Sequence, residues 1–252
     1  MATKIALITG GSRGLGKEMA LRMADAGHDV LITYNSQRES ADEVVNQIRS
    51  RGRKAAALQF DASDFKSIND FVTAVGKSLE SSFASSTFDF LVNNAGMGAT
   101  IPFMQATEEQ FDQFMNVHFK TVFFLTQRLL PKMNDGGRII NLSSGTTRFA
   151  MPGYAIYSSM KGAIEVFTRN LAKEIGARGI TVNVVAPGPI ETDFNNALIR
   201  SNPDRKKILS ANTALGRVGE AEDIGGVVVF LCSDDARWIN GQRIEVSGGI
   251  NL

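Results

Sequence analysis

An α/β fold is what this sequence predicts: a doubly wound parallel sheet of about seven strands with helices on both faces. Three observations carry that expectation. Short apolar runs of strand character alternate with longer stretches of helical period along the whole chain. A glycine-rich turn follows the first apolar run directly and opens a helical pattern. The 252 residues, 43% of them apolar, suffice for one large core, and no linker, internal repeat or low-complexity tract divides them, so residues 1–252 read as a single domain.

The first strand is Ile5-Ala6-Leu7-Ile8, apolar throughout, as in a strand covered on both faces. It runs into Thr9-Gly10-Gly11-Ser12-Arg13-Gly14-Leu15-Gly16, after which Met19, Ala20, Met23 and Ala24 keep a helical period up to Gly27. Glycines allow a tight turn and close approach of backbone to a pyrophosphate, and the helix N-terminus points free N–H groups at the anion. Gly10, Ser12, Arg13, Gly14, Leu15 and Gly16 are therefore the expected contacts of a Rossmann-like dinucleotide site. The spacing differs from the common Gly-x-Gly-x-x-Gly, and a glycine turn without a ligand is the plainer alternative.

The second strand, residues 29–34, ends in Tyr34-Asn35-Ser36-Gln37-Arg38, with no acid to hold a ribose 2′-hydroxyl. Arg13 and Arg38, with Asn35 and Ser36 beside them, would suit a 2′-phosphate, so NADP(H) is expected in preference to NAD(H). The plainer reading of Arg38 is the start of a solvated helix. Further strands are expected at 55–60, 88–92, 138–142, 181–185 and 243–246, with helices near 39–51, 64–82, 107–132, 154–178 and 220–232. Residues 189–216 contain Pro189, Pro203 and Gly216, many polar residues and a helical hint at 194–200. They read as a mobile flap over a site, or else as a surface excursion.

Tyr157 and Lys161 carry the chemistry. Four residues on a helix rise about 6 Å, so both side chains project from one face. A phenol titrates near ~10, too high for easy acid–base work, and a neighbouring ammonium is expected to lower that value.

With these residues in place the chain resembles, from end to end, the short-chain dehydrogenase/reductase family, in its branch of NADP-preferring 3-oxoacyl-reductase-like enzymes. Phe90-Leu91-Val92-Asn93-Asn94-Ala95-Gly96 is similar to the family's Asn-Asn-Ala-Gly segment, which implies that Asn93, Ala95 and Gly96 flank the cofactor. Asp61, with Ala62, matches the residue that meets the adenine. Ser144, thirteen residues before Tyr157, matches the catalytic serine, with Ser143 the neighbour to be distinguished from it. Pro187-Gly188-Pro189-Ile190-Glu191-Thr192 resembles the motif at the nicotinamide end, where Pro187, Gly188, Ile190 and Thr192 would make contacts. The tail, from Gly216-Arg217-Val218-Gly219 to Ser247-Gly248-Gly249, fits the same pattern.

One departure stands out. The family's tetrad asparagine aligns with His118, which could stand in a proton relay and, unlike asparagine, titrates near neutrality. The alternative is a packed helical histidine.

The resemblance implies reversible hydride transfer between a nicotinamide and a carbonyl compound: Tyr157 as acid/base, Lys161 tuning it and holding the ribose, Ser144 orienting the carbonyl. Tyr154, seven residues before Lys161, leaves enoyl-thioester reduction open. A protein that senses NADP without turnover is a further alternative. A substrate pocket is expected from 97–100, 146–154, including Arg148, and the flap. The resemblance also implies a homotetramer or homodimer through the helices near 107–132 and 154–178.

Composition excludes other classes. A net charge of +1 gives no electrostatic reason to bind nucleic acid or a membrane surface. No 18-residue apolar run marks a transmembrane helix, and a strand starting at residue 5 leaves no room for a signal peptide. Cys232 is the single cysteine; it lies in an apolar run, reads as a core residue and forms no intrachain disulfide, so a reducing cytoplasm is the expected location.

Overall fold

The computed structural model describes residues 3–252. β1 (Ile5–Ile8) leads through the glycine turn into α1 (Gly14–Asp25). β2 (Asp29–Tyr34), α2 (Arg38–Ser50) and β3 (Ala55–Gln59) extend the sheet on one side. The chain then passes through α3 (Ile68–Ser78) and returns across β1 to β4 (Phe88–Asn93). α4 (Glu108–Met115), α5 (Thr121–Leu129), β5 (Met133–Leu142), α6 (Ala155–Ile175) and β6 (Thr181–Pro187) follow. In the segment 189–216, α7 (Phe194–Ala197) is a left-handed turn rather than a regular helix, with Asn195, Asn196 and Ala197 at positive φ, and α8 (Pro203–Ala211) follows it; α9 (Glu222–Cys232) and β7 (Arg243–Val246) come next. The seven strands are all parallel, in the order β3-β2-β1-β4-β5-β6-β7.

Side-chain alternation divides the core between the two faces. Ala6 and Ile8 of β1 pack with Met19, Val44 and Leu231 under α1, α2 and α9. Ile5 and Leu7 pack with Val75, Leu125 and Ala172 under α3, α5 and α6. Cys232 belongs to the first cluster, and burial pushes its thiol up to about 12, so it is an inert core group. Because strand order reverses between β1 and β4, the loops after these strands diverge and leave a crevice at the carboxyl edge of the sheet. Among the described residues no helix is long and apolar enough to cross a membrane, and no three His, Cys, Asp or Glu side chains are grouped to hold a metal.

Two boundaries differ from expectation. β5 begins at Met133 rather than near 138, because Phe88 pairs with Met133 and Phe90 with Arg138, so the polar segment between is a bulge that periodicity does not reveal. The helix expected at 107–132 is interrupted by one wide π-type turn, Asn116–Lys120, and ends in a 3-10 turn at Leu130–Lys132 containing Pro131. That wide turn carries His118.

Candidate active site

The glycine turn is locked from below. Gly10 N donates to Thr33 Oγ1 (3.0 Å) and Gly11 N to Thr33 O (2.7 Å). Asn94 Nδ2 donates to Thr9 O (2.8 Å) and Gly10 O (3.1 Å). A Cβ on Gly16 would lie 2.1 Å from Gly10 O, so only glycine lets α1 start so close to the turn. Arg13, at the N-cap of α1, supplies no side-chain cap and forms no ion pair among the described residues. The first N–H groups of α1 therefore lack a side-chain partner, and a free guanidinium stands beside them. This donor set fits a dinucleotide pyrophosphate and an additional phosphate.

A cleft of about 580 Å³ runs from this turn across the carboxyl ends of the strands. It is lined by Gly10, Ser12, Arg13, Gly14, Leu15, Gly16, Asn35, Ser36, Asp61, Ala62, Ala95, Gly96, Tyr157, Lys161, Pro187, Gly188, Ile190 and Thr192, all expected from sequence. Ser144 and His118 line it as well.

Two expected contacts lie elsewhere. Arg38 opens α2 on its exposed side and faces Asp42 (3.7 Å), so it is outside the cleft wall. Asn93 is buried beneath the cleft, donating to Thr126 Oγ1 (3.0 Å) and Asn141 Oδ1 (2.8 Å); it braces β4 against β5 and α5. Its neighbour Asn94 is the one that reaches the glycine turn. Arg148 is also turned away from the substrate end and grips Glu245 with two nitrogens (2.8 and 2.7 Å).

Tyr157 and Lys161 occupy the first turns of α6, with Lys161 Nζ 5.7 Å from the Tyr157 ring centroid. Lys161 is buried and donates to Leu142 O at the end of β5 (2.7 Å). Burial lowers its pKa to about 8. Tyr157 moves in the direction opposite to the expected one. Burial raises its pKa to about 12, more than the Ser144 hydroxyl lowers it. The Lys161 ammonium does not offset this: it stands 5.7 Å from the ring centroid and is engaged with the Leu142 carbonyl. The phenol thus keeps its proton at neutral pH.

Ser144 starts a short turn, and its Oγ accepts from Thr146 N (3.2 Å) and Thr146 Oγ1 (3.0 Å), which leaves its own proton to face the Tyr157 hydroxyl. Ser143 donates instead to Glu165 (2.7 Å) behind the site. Glu165 also accepts from Thr147 Oγ1 (2.7 Å) and Arg243 Nε (2.8 Å), while Arg243 Nη2 reaches Ser144 O (3.3 Å) and Arg243 Nη1 reaches Glu245 (3.0 Å). A ladder of alternating charges therefore holds the Ser144 loop from behind.

His118 is not the neutral-range titrating group expected from sequence. It is buried, with its pKa well below 6.5, first because of burial and then because of the charge of Lys161. Its Nε2 lies 2.8 Å from Met97 O, an interaction that requires the Nε2–H tautomer, and its ring meets Tyr157 edge-on at 5.2 Å. The substrate half of the cleft adds Phe149, Met151, Tyr154, Phe194, Leu198 and Arg205. Sequence reasoning missed Asn94, Gln37 and Arg205. The paired asparagines carry a signal only once the end of β4 is fixed, and Arg205 sits in the segment 189–216, where no periodicity places it.

Comparison with known proteins finds relatives along the whole chain. Residues 10–251 match a family model described as enoyl-(acyl carrier protein) reductase. The 3-oxoacyl-[acyl-carrier-protein] reductase FabG of Staphylococcus aureus (strain Mu50) is 38% identical over 252 residues, covering 99% of both chains. Among solved structures, the promiscuous reductase LugOII, which catalyses keto-reduction at C1 during lugdunomycin biosynthesis, superposes with a TM-score of 0.94 at 39% identity, covering 99% of this chain and 98% of that one. The angucycline C-6 ketoreductase LanV with bound NADP gives 0.94 at 38% identity, covering 99% and 96%.

Proposed function

This chain belongs to the short-chain dehydrogenase/reductase family, and from that premise we propose that it is an NADP(H)-dependent oxidoreductase interconverting a carbonyl compound and its alcohol. The observation that carries the reading is one cleft shared by the uncapped glycine turn, Ser144, Tyr157 and Lys161. The turn and Arg13 would hold the phosphates, Asn35, Ser36 and Asp61 the adenosine end, and Pro187, Gly188, Ile190 and Thr192 the nicotinamide end. NADP(H), when bound, supplies or accepts the hydride. Its preference over NAD(H) is supported by the unpaired Arg13, the lack of an acid after β2 and the NADP bound to LanV.

In the reducing direction the Ser144 hydroxyl donates a hydrogen bond to the carbonyl oxygen and orients it. The Tyr157 phenol, protonated at neutral pH, gives its proton to that oxygen as charge develops there. Lys161, anchored on Leu142 O, places a cation beside the phenol and stabilises the phenolate left behind. His118 acts as a neutral group that buttresses the Tyr157 ring and ties residue 97 to the wide helical turn. Residues 189–216 are the mobile flap over the substrate. The Phe119–Phe123–Phe167 cluster and the exposed Phe111 and Val166 support a homotetramer or homodimer through α4, α5 and α6. The lone buried Cys232 is consistent with a reducing cytoplasm.

Tyr157→Phe tests the assignment: NADPH consumption against a carbonyl panel should vanish while NADPH binding persists, and retained turnover would sink it. Enoyl-thioester reduction is the second reading, favoured by the description of the family model and by Tyr154 in the cleft. The Tyr154 hydroxyl, however, already accepts from Asn195 Nδ2 (3.1 Å) and Thr100 Oγ1 (3.4 Å). A 3-oxoacyl thioester assayed beside a 2-enoyl thioester separates the two. NADPH binding without consumption of any carbonyl would point to a sensor.

A further inference from the structure

The charged groups lining the cleft are distributed unevenly. Arg13 and Asp61 belong to the dinucleotide end, and Lys161 and His118 to the reacting centre. The substrate end holds Asp193 and Arg205. Asp193 is already paired with Arg200 (2.8 Å), whereas Arg205 has no carboxylate partner among the described residues. Arg205 lies on α8 and is half-buried. Its one side-chain contact is Nη2 donating to the Tyr154 hydroxyl (3.5 Å). That oxygen also receives Asn195 Nδ2 and Thr100 Oγ1, more donors than a phenol oxygen can fully satisfy. The Tyr154 ring in turn stands 6.1 Å from the Tyr157 ring. A guanidinium with one long hydrogen bond and no carboxylate partner therefore lines the cleft beside Tyr154, the neighbour of the proton donor, and the apolar Phe149, Met151 and Leu198 line the same cleft.

We propose that Arg205 is a specificity-determining residue and that the substrate is an apolar oxo acid, whose anionic oxygen group docks on Arg205 and Asn195 while its carbonyl lies at Tyr157. A half-buried fork with free N–H groups matches an oxyanion in charge and geometry, and a neutral apolar substrate would leave it unpaired. This rests on the carbonyl-reductase reading above and deepens it. Carboxylate and phosphate share the chemistry, so both are tested.

The probes are a series of oxo acids of increasing chain length, their methyl esters, and an oxo-alkyl phosphate. Each is measured in two ways on the NADPH-loaded protein: as kcat/KM, and as the ligand-induced rise in Tm, which needs no turnover. The wild type should prefer the anion to the ester in both. Arg205→Ala should lose about 10- to 100-fold of that preference, as expected for one charge-assisted contact, Arg205→Lys should keep part of it, and Arg205→Gln serves as a neutral replacement of similar size. Turnover with equal use of acid and ester, or a preference that survives all three variants, overturns the proposal and leaves carbonyl reduction standing. An Arg205-dependent Tm shift without turnover upholds the anion site and overturns the reductase reading. No response in either readout overturns both.

Discussion

The charge ladder behind Ser144 gives a quantitative test. Arg243→Met keeps most of the aliphatic stem and removes the fork. It deletes hydrogen bonds to Glu165 (2.8 Å), Glu245 (3.0 Å), Thr147 Oγ1 (3.2 Å) and Ser144 O (3.3 Å). The three charged side chains are only 21%, 14% and 19% exposed, so the ladder lies between a surface pair, worth about 0–1 kcal/mol, and a buried pair, whose breaking costs about 3–5. Glu165 keeps two hydroxyl donors and Glu245 keeps Arg148, which softens the loss to about 2–3 kcal/mol. For a chain of this size that corresponds to a Tm roughly 4–12 °C lower. Because the Ser144 carbonyl loses its anchor, kcat should also fall, by about 10-fold. Calorimetry at fixed protein concentration and steady-state kinetics provide the readouts. Adding Glu165→Gln completes a double-mutant cycle, with an expected coupling of about 1 kcal/mol or more. A Tm within about 1 °C of wild type, an unchanged kcat and no coupling would show that the ladder neither stabilises the fold nor positions Ser144.

Three further predictions follow from the site and its surroundings. Lys161 is cationic below about 8, so kcat/KM for NADPH in the reducing direction should decline as pH rises through that value, whereas His118→Asn should leave the acid limb unmoved because His118 is already neutral there. Gly16→Ala places a methyl group 2.1 Å from Gly10 O, and NADPH binding measured by fluorescence titration should be lost. Glu245 is held at about 2, chiefly by its hydrogen bond from Arg148; its depressed value contributes stability above the ordinary 4.5, and this is lost as pH falls from 4.5 towards 2. Glu245→Gln should therefore flatten the Tm-versus-pH curve in that window, and an unaltered acid slope would count against it.

Much of this architecture is legible in the sequence because it depends on short-range pattern. Apolar runs place the strands, and the glycine turn announces the uncapped helix behind it. The four-residue spacing puts Tyr157 and Lys161 on one helical face. What is not legible depends on direction and burial. Asn93 and Asn94 are the same residue side by side, and only the end of β4 decides that the first points into the core and the second towards the turn. Arg38 is one residue into α2, where a small rotation takes it from the cleft to Asp42. The expected lowering of the Tyr157 pKa fails because spacing reveals a neighbouring cation but neither where its ammonium is engaged nor the burial of the phenol. Arg205 carries no pattern at all; its significance comes from its having no carboxylate partner among the described residues, Asp193 being taken by Arg200.

The crevice also divides into a rigid half and a permissive one. At the glycine turn, Gly10 N and Gly11 N are held by Thr33, the carbonyls of Thr9 and Gly10 are held by Asn94, and there is no space for even a methyl group at Gly16. The side chains of Arg13, Asn35, Ser36 and Gln37 make no hydrogen bonds among the described residues and bear no structural duty. On the proposed cofactor placement, dinucleotide choice is thus uncoupled from folding. Substitutions at those four positions could retarget the enzyme between phosphorylated and unphosphorylated coenzyme at little cost in stability, whereas the same ambition pursued through the glycines would dismantle the domain.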